Sequence, residues 1–161
     1  MNKHTPHIFV IPEDEANKEI AIGFELHERV DDRRVKVTGV GRGWKNVLTT
    51  FEEEYIQSLR RFPLGHVVML IDFYGRCDDR LAIFTQAIPD DLRGRVFVVG
   101  CSTNPETLRT ALGLSFERIG YQLAEDCALG RGGFWDHELL RHNNAERQRL
   151  ATVVQDFLLI A

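Results

Sequence analysis

The stretch His66-Val67-Val68-Met69-Leu70-Ile71-Asp72-Phe73-Tyr74 decides the fold. Val67 to Ile71 are apolar without a break, so a strand here is buried on both faces. That is the pattern of a parallel sheet covered by helices on each side. The run ends in Asp72, a carboxylate at the strand's carboxyl end. Three other segments have strand character: the apolar runs His7 to Pro12 (HIFVIP) and Arg95 to Cys101 (RVFVVGC), and the alternating Arg34 to Val40 (RVKVTGV).

Helical spacing fills the intervals. Ala16, Ile20, Gly23, Phe24 and His27 share one face after Asp14, whose carboxylate suits a helix N-cap. A second helix runs from about Trp44 to Arg61, with Val47, Phe51, Tyr55 and Leu59 facing inward, and Pro63 and Gly65 punctuate its end. A short one covers about Asp79 to Ile88. Asn104-Pro105-Glu106 opens the next: an N-cap, a proline at the first helical position, and an acid in the positive first turn. Helices over Ser115 to Cys127 and from the Gly130–Gly133 loop to the C-terminus follow, the latter with Leu150, Val153, Val154, Phe157 and Leu158 as its stripe. Phe134 and Trp135 read as a lid closing onto the core or as a partner surface, of which core closure costs less. The order predicts one three-layer α/β domain, a mainly parallel four-stranded sheet flanked by helices. Its core spans about residues 7–113, with a C-terminal helical extension over about 114–161. Phe51, Val68, Leu70, Val96, Val98 and Leu108 are expected to be nearly inaccessible.

Composition narrows the class. A chain of 161 residues fits a single domain. The formal charge of −4 excludes a global basic field for nucleic acid, although Arg outnumbers Lys and binds phosphate in bidentate fashion. Cys77, Cys101 and Cys127 are odd in number and form no CxxC, so neither a disulfide framework nor a zinc ribbon is expected. Free thiols suit a reducing compartment. No stretch approaches the roughly 18–20 apolar residues of a membrane span, and the polar N-terminus has no signal-peptide pattern. The expectation is a cytoplasmic protein without a membrane partner.

Ligands of parallel sheets bind at the carboxyl ends of the strands. Glu13, Asp14 and Glu15 follow the first strand, and Asp72, Asp78 and Asp79 follow the third. Two or three carboxylates on that edge can hold Mg²⁺, which takes oxygen ligands, clamps a phosphodiester and activates water. The loop Gly39-Val40-Gly41-Arg42-Gly43 offers backbone amides to a phosphate, and the guanidinium groups of Arg42 within it and Arg76 after the third strand are phosphate-binding candidates. The loop's spacing is neither GxGxxG nor Walker, so a tight turn is the competing reading. Arg76 and Arg80 are also candidates for neutralising the carboxylates of Glu13 and Asp72 without metal. The acids have a competing role too: Glu13 and Asp14 as caps of the first helix, Asp78 or Asp79 as cap of the third. His142 and Glu146, four residues apart, read as a surface pair or as two members of a metal site.

A Glu ending the first strand, then helix, strand and helix, then an Asp ending a buried strand resembles the Toprim fold over roughly Ile8 to Leu112. That is the catalytic module of topoisomerases, DnaG-type primases, OLD-family nucleases and small stand-alone relatives. The resemblance implies Glu13 as general acid or base, Asp72 as a Mg²⁺ ligand, and phosphodiester hydrolysis on nucleic acid. Two positions depart from the family pattern. The second Asp of its DxD pair is Tyr74 here, and the Gly after its first-strand Glu is Asp14. Asp78 or Asp79 then stands as the replacement ligand. The alternative is a non-catalytic interaction or regulatory module that has lost its metal site, with a protein as partner.

Overall fold

A computed structural model describes residues 1–160. Its elements run β1 (His7–Pro12), α1 (Glu15–Glu25), β2 (Val35–Val37), α2 (Trp44–Thr50), α3 (Ile56–Arg61), β3 (Gly65–Leu70), α4 (Cys77–Ala87), β4 (Val96–Val99), α5 (Pro105–Leu112), α6 (Phe116–Ala128) and α7 (Asn144–Leu158). The four strands form one sheet in the order β2-β1-β3-β4, parallel throughout.

Strand side chains alternate between faces, and the two faces carry separate cores. Phe9, Ile11, Val67, Met69, Val96 and Val98 pack with Val47, Phe51, Leu59 and Phe84 from α2, the turn after it, α3 and α4. Ile8, Val35, Val68, Phe97 and Val99 point the other way, against Ala124 of α6 and Val154 and Leu158 of α7. A third cluster joins Ala16 and Ile20 of α1 to Leu108, Ile119 and Leu123. The result is three layers. The first crossover, through α1, covers one face and the next two cover the other, so chain direction across the sheet reverses between β1 and β3. Met69, in the central strand, is wholly buried. Its truncation to alanine should cost about 2–5 kcal/mol in urea melts, the range for a core site that cannot collapse; a loss under about 1 kcal/mol would mean that β3 is not central.

Local differences from the sequence reading have identifiable causes. β2 begins at Val35, not Arg34, because the Asp31 carboxylate accepts from the Arg33 amide and holds Asp32–Arg34 in a 3₁₀ turn. The helix expected from Trp44 to Arg61 is divided by a π-helical turn at Phe51–Tyr55, which keeps Phe51 fully buried. α4 begins at Cys77, so Asp78 and Asp79 lie inside its first turn and neither caps it. Leu70 is only partly buried, at the carboxyl end of β3, whereas Phe51, Val68, Val96, Val98 and Leu108 are buried as expected. Cys77, Cys101 and Cys127 are free thiols. Among the described residues no helix is long and apolar enough to cross a membrane.

Two packing devices shape the molecule. α1 and α6 touch backbone to backbone through Gly23 and Gly120: a Cβ on Gly120 would stand 1.8 Å from the Ile20 carbonyl oxygen, and one on Gly23 2.0 Å from that of Glu117. The outer edge of β4 is occupied by side chains from α7 and the turn before it. Glu146 accepts from the Val98 amide, Arg149 donates to the Val96 carbonyl, and Asn143 both accepts from the Gly100 amide and donates to its carbonyl. His142 and Glu146 are therefore not a metal-binding pair: Glu146 also holds Arg149, and the His142 ring packs edge-on against Phe73.

Candidate functional site

The carboxyl ends of β1 and β3 meet at the reversal point of the sheet, and the register Pro12↔Leu70 brings Glu13 beside Asp72. Glu13 Oε2 accepts a hydrogen bond from the Asp72 amide at 2.5 Å, while the Glu13 amide donates to the Leu70 carbonyl. Asp14, not Glu13, caps α1: its Oδ1 accepts from both the amide and the side-chain Nδ2 of Asn17. The same Nδ2 donates to Asp72 Oδ1 at 2.9 Å, so Asn17 ties the carboxylates of Asp14 and Asp72 together.

Asp72 is 0% exposed and Glu13 5% exposed. Burial pushes both carboxyl groups up. For Glu13 the nearby charge of Asp14 adds to burial, while the Asp72 amide and the Arg80 charge oppose it. For Asp72 the removal from water dominates, the charges of Asp14 and Glu13 add to it, and the result lies at about 7. Asp72 Oδ2 and Asn17 Oδ1 are buried without a hydrogen-bond partner.

Arg80 of α4 lies over the site. Its Nη1 donates to the Asp72 carbonyl at 2.8 Å, and its guanidinium stacks on Trp44 at 4.6 Å and reaches Tyr74 at 5.8 Å. Tyr74 has φ 49° and Gly75 φ 76°, so the loop after β3 turns sharply at two left-handed residues. Left-handed backbone is unusual for a bulky side chain and collects at functional loops. The turn is tied to the loop after β4 by the Tyr74 and Gly75 amides, which donate to the carbonyls of Thr103 and Ser102.

The other sequence-read residues fall as follows. Gly41 donates to the Pro12 carbonyl, and Arg42 and Gly43 donate to that of Glu13. These three amides fix the loop against β1 and its carboxyl end and are not free to cradle a phosphate; the segment runs alongside β1 and bends at Arg42 and Gly43. The Arg42 and Arg76 side chains are exposed on loops at the carboxyl edge. Asp78 and Asp79 are exposed in the first turn of α4, and no hydrogen bond joins them to Asp72. Phe134 and Trp135 pack against the α5–α6 cluster, with Trp135 Nε1 donating to the Leu123 carbonyl. Among the described residues no group of three or more His, Cys, Asp or Glu side chains is arranged to hold a metal ion. Asn17 is the site residue the sequence did not mark, because its bond to Asp72 spans 55 positions and only its cap contact is local.

Comparison with protein-family models, with curated proteins and with solved structures finds no match for this chain.

Proposed function

We propose that this is a divergent Toprim-like protein whose β1–β3 crevice binds Mg²⁺ and hydrolyses phosphodiesters of nucleic acid, in the reducing cytoplasm. The observation that carries the reading is the meeting of Glu13 and Asp72 at the reversal point of the sheet, with Asp72 Oδ2 left unpartnered. What supports a hard cation is the chemistry of two donors: the carboxylates of Asp72 and Glu13 are ligands of the kind Mg²⁺ takes when it keeps several waters. Bound there, the ion would supply Lewis-acid polarisation and an activated water. Glu13, its carboxyl raised by burial, suits proton transfer. Arg42 and Arg76 are exposed at the same edge, where a phosphate backbone would lie.

Tyr74, in place of a second acid, and the complete burial of Asp72 favour a second reading, a non-catalytic interaction module without metal. Metal titration separates the two. Under the first reading, millimolar Mn²⁺ or Mg²⁺ raises the melting temperature more at pH 8 than at pH 6, because the ion competes with the proton on Asp72. Asp72→Asn removes the rise, and Glu13→Gln removes cleavage of a labelled oligonucleotide. No melting shift at either pH, together with no cleavage, leaves the second reading.

A further inference from the structure

α1, α6 and α7 share one face of the sheet, and they do not share it evenly. Glycines draw α1 and α6 into backbone contact, whereas α7 meets α6 at Ala124, a side chain too short to fill the space above it. A cleft of about 310 Å³ remains between α6 and α7. That is the size of a small-ligand site.

The cleft has a direction. Residues spaced three and four apart share a helix face, and Arg147, Ala151, Val154 and Leu158 of α7 form such a stripe along it. At 1.5 Å per residue the stripe is roughly 16 Å long. It runs from a guanidinium at one end to Leu158 and Leu159 at the other, where Phe24 of α1 joins the wall. Cys127 and the turn at residues 130–132 face it from the α6 side.

The charge in this wall is of one sign. Among the described residues Asp126 is its one acid, and that carboxylate is already committed to Arg131 Nε and the Phe134 amide. Gln148 and Gln155 are exposed, neutral amides. Arg147 is half-buried and, among the described residues, has no ion pair. Its Nε is buried and unpaired; Nη1 and Nη2 make no hydrogen bond within the protein and are not shut in. The guanidinium lies 5.7 Å from the Trp135 ring. Burial pushes the Cys127 thiol up to about 11, with Trp135 and the Arg147 charge opposing it, so the guanidinium is close to the α6 wall as well. A half-buried cation with unused donors, at the end of an apolar channel, is matched by a carboxylate on an apolar chain.

We propose that the cleft between α6 and α7 binds a medium-chain fatty acid, its carboxylate paired with the Nη groups of Arg147 and its hydrocarbon lying along Ala151 and Val154 toward Leu158. Arg131 adds positive potential near the same end. Neither Glu13 nor Asp72 takes part, so the site stands or falls apart from the metal reading.

The test uses the intact chain with octanoate and 1-octanol as probes, two chains of equal length that differ in charge. In methyl-resolved NMR both shift the signals of Ala151, Val154 and Leu158, and octanoate binds about tenfold tighter, the share of one charge-assisted hydrogen bond. At ten times its dissociation constant octanoate raises the melting temperature by about 4 °C. Arg147→Gln removes the preference and leaves octanol binding unchanged. Ala151→Leu, whose longer side chain fills the channel, abolishes both responses. Should that variant fail to fold, Gln148→Glu at the exposed rim leaves packing alone and weakens octanoate by about threefold without affecting octanol. Absence of any shift at those methyls overturns the site. Octanol binding as tightly as octanoate, or a preference that survives in folded Arg147→Gln, overturns the pairing with Arg147. Shifts that persist in folded Ala151→Leu place the chain elsewhere and overturn the assignment.

Discussion

Relative to the native chain, Asp72→Asn should gain stability by on the order of 4 kcal/mol as the pH rises from about 4 to 8, about 1–2 kcal/mol of it by pH 5. The sign follows from burial. The Asp72 carboxyl titrates at about 7 in the folded chain and near 3.8 when exposed, so the folded state keeps a proton that the unfolded state gives up. Stability then falls by about 1.4 kcal/mol per pH unit across that interval and levels off above it. The amide of the variant has no charge to desolvate. Asn17 Nδ2 still has an oxygen to donate to, while the new nitrogen buries two donors where Oδ2 had no partner, a cost of about 1–3 kcal/mol that is the same at every pH. Urea melts of both proteins in chelator, from pH 5 to pH 8, give the answer. A difference that does not vary with pH would show that Asp72 is ionised in the folded state throughout. The result also bears on function, since a residue that costs stability at neutral pH is better explained by chemistry than by packing.

Gly120→Ala should destabilise by about 3 kcal/mol, although alanine is the better helix former by about 1 kcal/mol. The added Cβ meets the backbone of α1 at Ile20 and Phe24, and a backbone cannot rotate aside as a side chain can. α1 and α6 would have to separate, and both cover the same sheet face. Gly113→Ala is a poor control because its φ of 66° is itself unfavourable for alanine. Thr110→Ala, on an exposed helical surface, serves instead and should change stability by less than about 0.5 kcal/mol. A neutral or stabilising Gly120→Ala would mean that the two helices are held less closely than described.

The sheet was legible because its strongest signal, Val67 to Ile71, has only one interpretation at that length. Its partners follow from the alternation of strand and helix. The ends of elements were less so. Arg34 looks like a strand residue until Asp31 takes the Arg33 amide, and the π turn at Phe51–Tyr55 leaves no mark in a stripe that serves α- and π-helix almost equally. At the site, Glu13 and Asp72 could be placed together because each follows a strand and the strands are neighbours. The fate of the Gly39–Gly43 amides could not, because a sequence shows donors without showing which carbonyl takes them. Arg80, close in sequence to Asp72, does reach the site, whereas Asn17 joins it only through the way α1 packs over the edge.

The side chains along β4 have a consequence for how this molecule can meet others. A strand at a sheet margin normally offers a repeating row of amides and carbonyls on which a further strand, from any chain, can template itself. Here Asn143, Glu146 and Arg149 have taken those positions, and they present no new row outward. At the opposite margin β2 is only three residues long, too short to guide much pairing. The sheet therefore stops at four strands by chemistry on one flank and by brevity on the other. Recognition by strand addition is closed to it while α7 is in place. Partners must be met through the loops above the carboxylates or across the helices, and removal of α7 would turn a finished margin into a sticky one.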